Sequence, residues 1–370
     1  MKPPGKKQTN RSRIYQLVYQ AGSISRPEIA LRLGISLPTA IQNVKCLQAD
    51  GLLEEGDLLE STGGRKATAV HLSRNARFAV GVDITRNHLS VVLINLAADI
   101  VGSRRVKQRY EDNAAYYRQI VGLINEMIAS AGIAPNKILG AGFSVPAILS
   151  ENGRLLVYSR VLNVPVLHCS TISRGLAYES VMCNDANAAG IAELWRRKDL
   201  DNAVYLSLSN SVGGAILLHN ELYSGENQRG GEFGHSTLVR DGRPCYCGRL
   251  GCMDAYCSAE VLSRHTGGCL PRFFEKLSSG DPAIAAVWDE YSGWLAVALN
   301  NIIASFDCKV ILGGYLGEYL ESRLDDIKRR VATLATFSGT EDYVTPCVYK
   351  KEASAVGAAL LYVRSFLQSR

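Results

Sequence analysis

Gly230-Gly-Glu232-Phe-Gly-His235 is followed at short range by Cys245-Tyr-Cys247-Gly-Arg-Leu-Gly-Cys252-Met-Asp254-Ala-Tyr256. The spacing is His-x9-Cys-x-Cys-x4-Cys. One imidazole and three thiolates complete a tetrahedral zinc site of the Cys3His type. Gly248 and Gly251 let the backbone fold tightly between Cys247 and Cys252. The alternative is a set of ordinary buried cysteines, but four ligand positions beside glycines rarely coincide. An ion pinning both ends of this loop also fixes Glu232 and Asp254 near one cleft, where two carboxylates can grip a hydroxyl-rich ligand.

These two segments resemble the signature of the ROK family, which contains bacterial sugar kinases, kinase-like relatives and transcriptional repressors. The family's G-E-x-G-H and C-x-C-G-x-x-G-C-x-E-x-Y are both present, with Asp254 in place of the glutamate. Further matches run from about Phe78 to the C-terminal end of the sequence, and the added N-terminal segment fits the repressor branch.

At 370 residues the chain exceeds one ordinary core, so two or three domains are expected. No apolar run is long enough to span a bilayer, and the basic N-terminus lacks a signal peptide's apolar stretch. The expected location is therefore the cytoplasm, with no membrane partner. Ten cysteines are then reduced thiols. The seven outside the cluster (Cys46, Cys169, Cys183, Cys257, Cys269, Cys308, Cys347) read as small core residues. Residues 1–73 hold ten basic against six acidic side chains, an asymmetry that suits an anionic partner.

Within 1–73, Ile14, Leu17, Val18 and Ala21 set a helical period that ends at Gly22. Ser25-Arg-Pro-Glu28 is a capping box, Gly34 a turn, and Ser36 the cap of a third helix carrying Ile41, Val44 and Leu47. The stretches 52–60 and 67–72 read as the strands of a wing. A protein-binding helical bundle is the alternative to a DNA-binding module. The outward face of the third helix favours DNA, since Thr39, Gln42, Asn43 and Lys45 suit base edges and phosphates. Arg65 and Lys66 lie in a glycine-bearing wing loop that can approach a minor groove.

Beyond Phe78, strands are expected at 79–83, 89–96, 101–110 and 138–144, with an amphipathic helix over 114–131. A second set is expected at 203–208, 213–218 and 309–314, with a long helix around 291–306 and a last helix over 353–367. The family resemblance implies α/β architecture: an N-terminal winged helix-turn-helix (1–73), then a two-lobed actin-like, ribonuclease-H-like sugar-kinase fold. Its first lobe would span 74–187, completed by 353–370, and its second, with the zinc loop, 188–352.

The resemblance also implies roles. Asn184-Asp185-Ala-Asn187 matches the family's N-D-A-N, whose aspartate is the kinases' base; Asp185 serves equally as a hydrogen-bond acceptor, the reading preferred here. Asn163, Asn184, Asp185, Glu232, His235 and Asp254 would bind a pyranose, with His235 also ligating zinc. Ala147 replaces the glycine that usually comes after Val145-Pro146. The kinases' phosphate turns D-x-G-G-T and G-T-G-x-G-G are degraded here to Asp83-Ile-Thr-Arg86-Asn87 and Ser209-Asn-Ser-Val-Gly213-Gly214. Backbone amides cannot cradle phosphate where side chains crowd in, although Arg86 can still attract an anion. The expected function is a sugar-responsive regulator, a repressor by its branch, binding a DNA operator as a homodimer or tetramer. Its effector is a carbohydrate or phosphosugar, and it carries out no phosphoryl transfer. An active sugar kinase bearing a DNA-binding module is the alternative.

Overall fold

The computed structural model describes residues 9–58, 68–197 and 200–369. The chain opens with three capped helices. Thr9, Ser25 and Ser36 accept from the amides of Ser12, Glu28 and Thr39 and so start α1 (Asn10–Ala21), α2 (Arg26–Leu33) and α3 (Leu37–Ala49). Pro27 and Pro38 fall in first turns, where a missing amide costs nothing. Ile14, Val18, Ile29, Ala40, Val44 and Leu47 close a core between the helices. A three-stranded sheet in the order β1 (Ser23–Ser25), β3 (Thr68–Leu72), β2 (Leu53–Leu58) completes the wing. Three residues are too few to show a strand's alternation, so β1 is invisible in the sequence. Arg65 and Lys66 lie outside the described residues.

Two five-stranded sheets come next, built alike. In the first lobe β4 (Phe78–Ile84), β5 (His88–Asn95) and β6 (Ile100–Lys107) form an antiparallel meander. β7 (Ile138–Val145) pairs parallel to β4, and a late strand, Ser180–Asn184, pairs parallel to β7. Between these two, β8 (Ile148–Leu149), β9 (Leu155–Tyr158) and β10 (Leu167–His168) make a small separate sheet, which makes Ser180–Asn184 β11. The second lobe repeats the plan with β12 (Ala203–Leu208), β13 (Val212–Leu218), β14 (Glu221–Tyr223), β15 (Lys309–Gly313) and β16 (Val344–Pro346), in the order β14-β13-β12-β15-β16.

Helices on both sides brace the two sheets and the cleft between the lobes, among them the following. α4 (Ala114–Ser130) covers the first sheet through Tyr116, Ile120 and Ile124. α5 (Asp185–Arg196) continues directly from β11, capped by Asn184, whose side chain accepts from the Asn187 amide. α6 (Pro282–Phe306) begins well before the expected 291, because Asp281 caps it through the amides of Ala283 and Ile284. α7 (Ala353–Ser369) packs on β4 and β7 of the first lobe. A Cβ at Gly142 would lie 2.1 Å from the Ala358 carbonyl, and one at Gly357 1.7 Å from the Ala188 carbonyl. Glycine at these two places is what lets α7 press against both the sheet and α5.

α1 rests on the far end of this pair. The Tyr15 ring meets Phe366 edge-on at 6.2 Å, Gln16 Nε2 donates to the Leu367 carbonyl, and Tyr19 lies 5.4 Å from Trp195. The expectation that all seven dispersed cysteines are core residues is corrected at two of them. Cys46 and Cys269 are exposed, and Cys183 is half-buried. Cys46 is off the Val44–Leu47 stripe of α3 and so faces outward.

Candidate functional site

The cysteine-rich loop is a knuckle held by backbone bonds. The Cys245 amide donates to Arg249 O, the Gly248 amide to Cys245 O, and the Gly251 amide to Arg243 O. Gly248 and Gly251 take φ of 90° and 78°, in the left-handed region that admits glycine most readily. His235 reaches the knuckle from a short 3-10 turn, Phe233–His235. Its Nδ1 is 3.8 Å from Cys245 Sγ, Cys247 Sγ is 3.7 Å from Cys252 Sγ, and the four donor atoms all lie within 4.8 Å of one another. A tetrahedral ion with Zn–S bonds of about 2.3 Å requires neighbouring sulfurs roughly 3.8 Å apart. Donor chemistry and geometry therefore fit one metal ion.

The knuckle is wired to its surroundings on three sides. His235 Nε2 faces the Tyr246 hydroxyl at 3.3 Å. Asp254, buried, accepts from the Val212 amide at 2.6 Å and so ties the knuckle to the turn before β13. From the first lobe, Arg160 donates through Nη1 to the Cys247 carbonyl at 2.9 Å, which joins the lobes at the metal loop.

Between the lobes lies a cavity of about 700 Å³. Its walls include Asp83, Thr85, Arg86 and Arg109 from the first lobe, Asp185 at the start of α5, and Ser209, Tyr246, Glu260 and Tyr315 from the second. Asp83 is buried and accepts from Ser144 Oγ at 3.0 Å. Burial, and after it the Asp185 charge, pushes its carboxyl up to about 7. Burial raises Asp185 to about 6, with Glu232 adding to the shift. Neither acid has a cation bonded to it among the described residues.

Both turns that would cradle phosphate have some of their amides already bonded to protein acceptors. The His88 amide donates to Thr85 Oγ1, the Thr85 amide to His88 O, and the Thr85 hydroxyl to the same carbonyl, each at 3.0 Å. In the second turn, the Ser209 amide donates to Ser211 O and the Val212 amide to Asp254. Tyr315, just past Gly313-Gly314, crosses the cleft. It sits 6.2 Å from the His88 ring and 5.0 Å below the Arg105 guanidinium.

Residues 79–365 match the ROK family profile, and residues 8–54 match a winged helix-turn-helix DNA-binding profile. The chain belongs to the ROK family. This ROK chain is 22% identical to the xylose repressor of Bacillus spizizenii over 372 residues, spanning 98% of the chain and 96% of that protein. Its fold superposes with a TM-score of 0.75 on a ROK family transcriptional regulator, a homolog of the E. coli MLC protein, at 20% identity, covering 97% of this chain and 96% of that one. A ROK family glucokinase from Streptomyces griseus, solved with glucose and AMPPNP, superposes with a TM-score of 0.64 at 22% identity, covering 77% of this chain and 98% of the enzyme. The expected fold class, a winged helix before a two-lobed kinase-like fold, holds.

The expected ligand residues are not all gathered at the cavity. Asp185 lines it. Asn184 caps α5 and donates to the Ala147 carbonyl. Asp254 holds the Val212 amide, and His235 stands behind Tyr246, which is the member of that group on the cavity wall. Glu232 is near enough to raise Asp185, and Asn163, at φ 57°, occupies an exposed turn. Arg109, Arg160, Lys350 and Lys351 also line the cavity; only folding brings them together, so no motif marks them.

On α3, Gln42 and Lys45 are exposed. Asn43 Nδ2 donates to the Thr39 carbonyl, and the Thr39 hydroxyl pairs with Ser36 Oγ at 2.7 Å, so both are partly occupied within the helix. No helix among the described residues is long and apolar enough to cross a membrane.

Proposed function

We propose that this ROK protein is a sugar-responsive transcriptional regulator, a repressor by kinship, whose kinase-like cleft senses a carbohydrate and has given up phosphoryl transfer. One observation carries the reading. A winged helix leans on a kinase fold whose two phosphate turns lack the family's glycines at Thr85, Arg86, Ser209 and Ser211 and have the Thr85, His88, Ser209 and Val212 amides already bonded to protein acceptors. Phosphoryl transfer depends almost wholly on positioning and charge stabilisation of the phosphates. Asp185, without that cradle, acts as a hydrogen-bond acceptor for a sugar hydroxyl.

The ion in the knuckle is zinc, held by His235, Cys245, Cys247 and Cys252. It fixes Tyr246 at the cleft through His235 and keeps Arg160 across the lobe boundary. α5 links ligand to DNA: Asp185 begins it at the cavity and Trp195 ends it against Tyr19 of α1. A ligand that favours one lobe closure shifts α5 and α7, and with them the winged helices of a homodimer or tetramer on its operator.

The test is an operator-binding assay with the full chain, titrated with a panel of pentoses, hexoses and their phosphates, beside a coupled kinase assay. A sugar-dependent change in operator affinity without turnover is the expected result. Turnover on the order of 1 s⁻¹ or faster would restore the kinase reading.

A further inference from the structure

The cavity is strongly cationic for a sugar site. Arg86, Arg109, Arg160, Lys350 and Lys351 line it against Asp83, Asp185 and Glu260. Three of the five cations already have work. Lys350 pairs with Glu321 at 3.0 Å, Lys351 with Glu318, and Arg160 donates to the Cys247 carbonyl. Arg86 and Arg109 have no carboxylate within ion-pair distance among the described residues. The backbone sets these two beside each other. The Tyr110 amide donates to Arg86 O at 2.9 Å and the Gln108 amide to Asn87 O at 3.0 Å, so Arg109 lies between the two residues that pair with the 86–87 turn.

Two guanidiniums without a carboxylate partner among the described residues line one cavity and leave its positive charge unanswered there. Guanidinium is the side chain best shaped for the oxygens of phosphate. With the Thr85 and His88 amides of this turn already bonded, the two guanidiniums are the groups that bring positive charge to an anion here.

We propose that Arg86 and Arg109 form an anion subsite that takes the phosphate of a phosphorylated sugar, whose hydroxyls reach Asp185. This rests on the cleft being the effector site. The vacated nucleotide half of the cavity then serves the effector: what glycine amides would do for a nucleotide, two arginines do for a sugar phosphate. Buried Asp83 supports the assignment, since a carboxyl at about 7 carries only part of its charge near neutrality and cancels less of the cationic field.

The test titrates the full-length, metal-loaded protein calorimetrically with inorganic phosphate, AMPPNP, and glucose, mannose and N-acetylglucosamine, each with its 6-phosphate. The wild type should bind inorganic phosphate. It should also prefer at least one 6-phosphate over its neutral parent by roughly tenfold or more. In Arg86→Ala/Arg109→Ala both effects should vanish, while in Arg272→Ala, an exposed arginine of the helix Leu270–Ser278 away from the cavity lining, both should persist. No phosphate binding and equal affinity for charged and neutral sugars would overturn the subsite, as would an unchanged preference in the double variant. If AMPPNP is the anion whose binding the double variant loses, the ligand is a nucleotide and the phosphosugar assignment falls. Operator binding measured in the same samples separates the two readings. A phosphosugar that binds through the arginines but leaves operator affinity unchanged removes the regulatory reading and leaves the anion subsite standing.

Discussion

Trp195, at the last turn of α5, lies 5.4 Å from the ring of Tyr19 in the first helix of the winged domain. The helix that starts at the cavity with Asp185 therefore ends on the DNA-binding module. Trp195→Ala should leave sugar affinity and ligand-free operator affinity within about twofold of wild type, yet remove most of the sugar's effect on operator binding. The measurement is operator affinity with and without saturating sugar. Full coupling in the variant would show that the signal takes another path.

The metal loop predicts composition as well as stability. Purified protein should carry about one zinc per chain by elemental analysis. Cys247→Ser should lose it and weaken sugar binding, because His235 and Arg160 both act on the cleft through this knuckle. Undiminished zinc in Cys247→Ser would remove Cys247 from the ligand set.

Asp83 makes stability depend on pH with a definite sign. Its carboxyl sits at about 7 in the folded chain against an ordinary 3.8. The folded protein therefore holds a proton that the unfolded chain has released. That stabilisation is full below 3.8 and is lost as pH rises through about 7. Asp83→Asn should be more stable than wild type at pH 8, by a free energy on the order of a few kcal/mol, and should therefore melt at a higher temperature. The gap should narrow at pH 5. Melting curves at the two pH values check this, and a constant gap would place the proton elsewhere.

On α3, Gln42→Ala should cut discrimination between operator and random DNA by about 1–3 kcal/mol. Lys45→Ala should weaken binding to all sequences and lower the salt slope by about one. Competition assays at several salt concentrations separate the two. Asn43→Ala should matter less than Gln42→Ala, because the Asn43 amide is already bonded to the Thr39 carbonyl.

Much of the fold is legible in the sequence because its signals are local. Caps at Ser25 and Ser36, and the His-x9-Cys-x-Cys-x4-Cys spacing, act within a few residues, and the structure places their partners where the sequence puts them. What is not legible depends on distance in the chain. That the Asn184 and Asp254 side chains each also bond a backbone group emerges only when Ala147 and Val212 are brought alongside. Likewise Arg109 and Lys350 share a wall that no spacing announces. The apolar run marks only the later part of α6, whose first turns are set by the Asp281 cap.

α7 covers the first lobe's sheet, yet it is translated after the whole second lobe. During synthesis the faces of β4 and β7 that Ala355 and Ala358 will cover must wait bare while α6 and β15 are being made. The three-helix head waits too, since Tyr15 and Gln16 rest on Phe366 and Leu367. A ribosome that stalls short of residue 353 therefore yields a chain with its DNA-reading helix formed but its docking surface missing, and with an apolar sheet open to chaperones or aggregation. The order of translation makes seating on α7 the last step by which this protein becomes responsive.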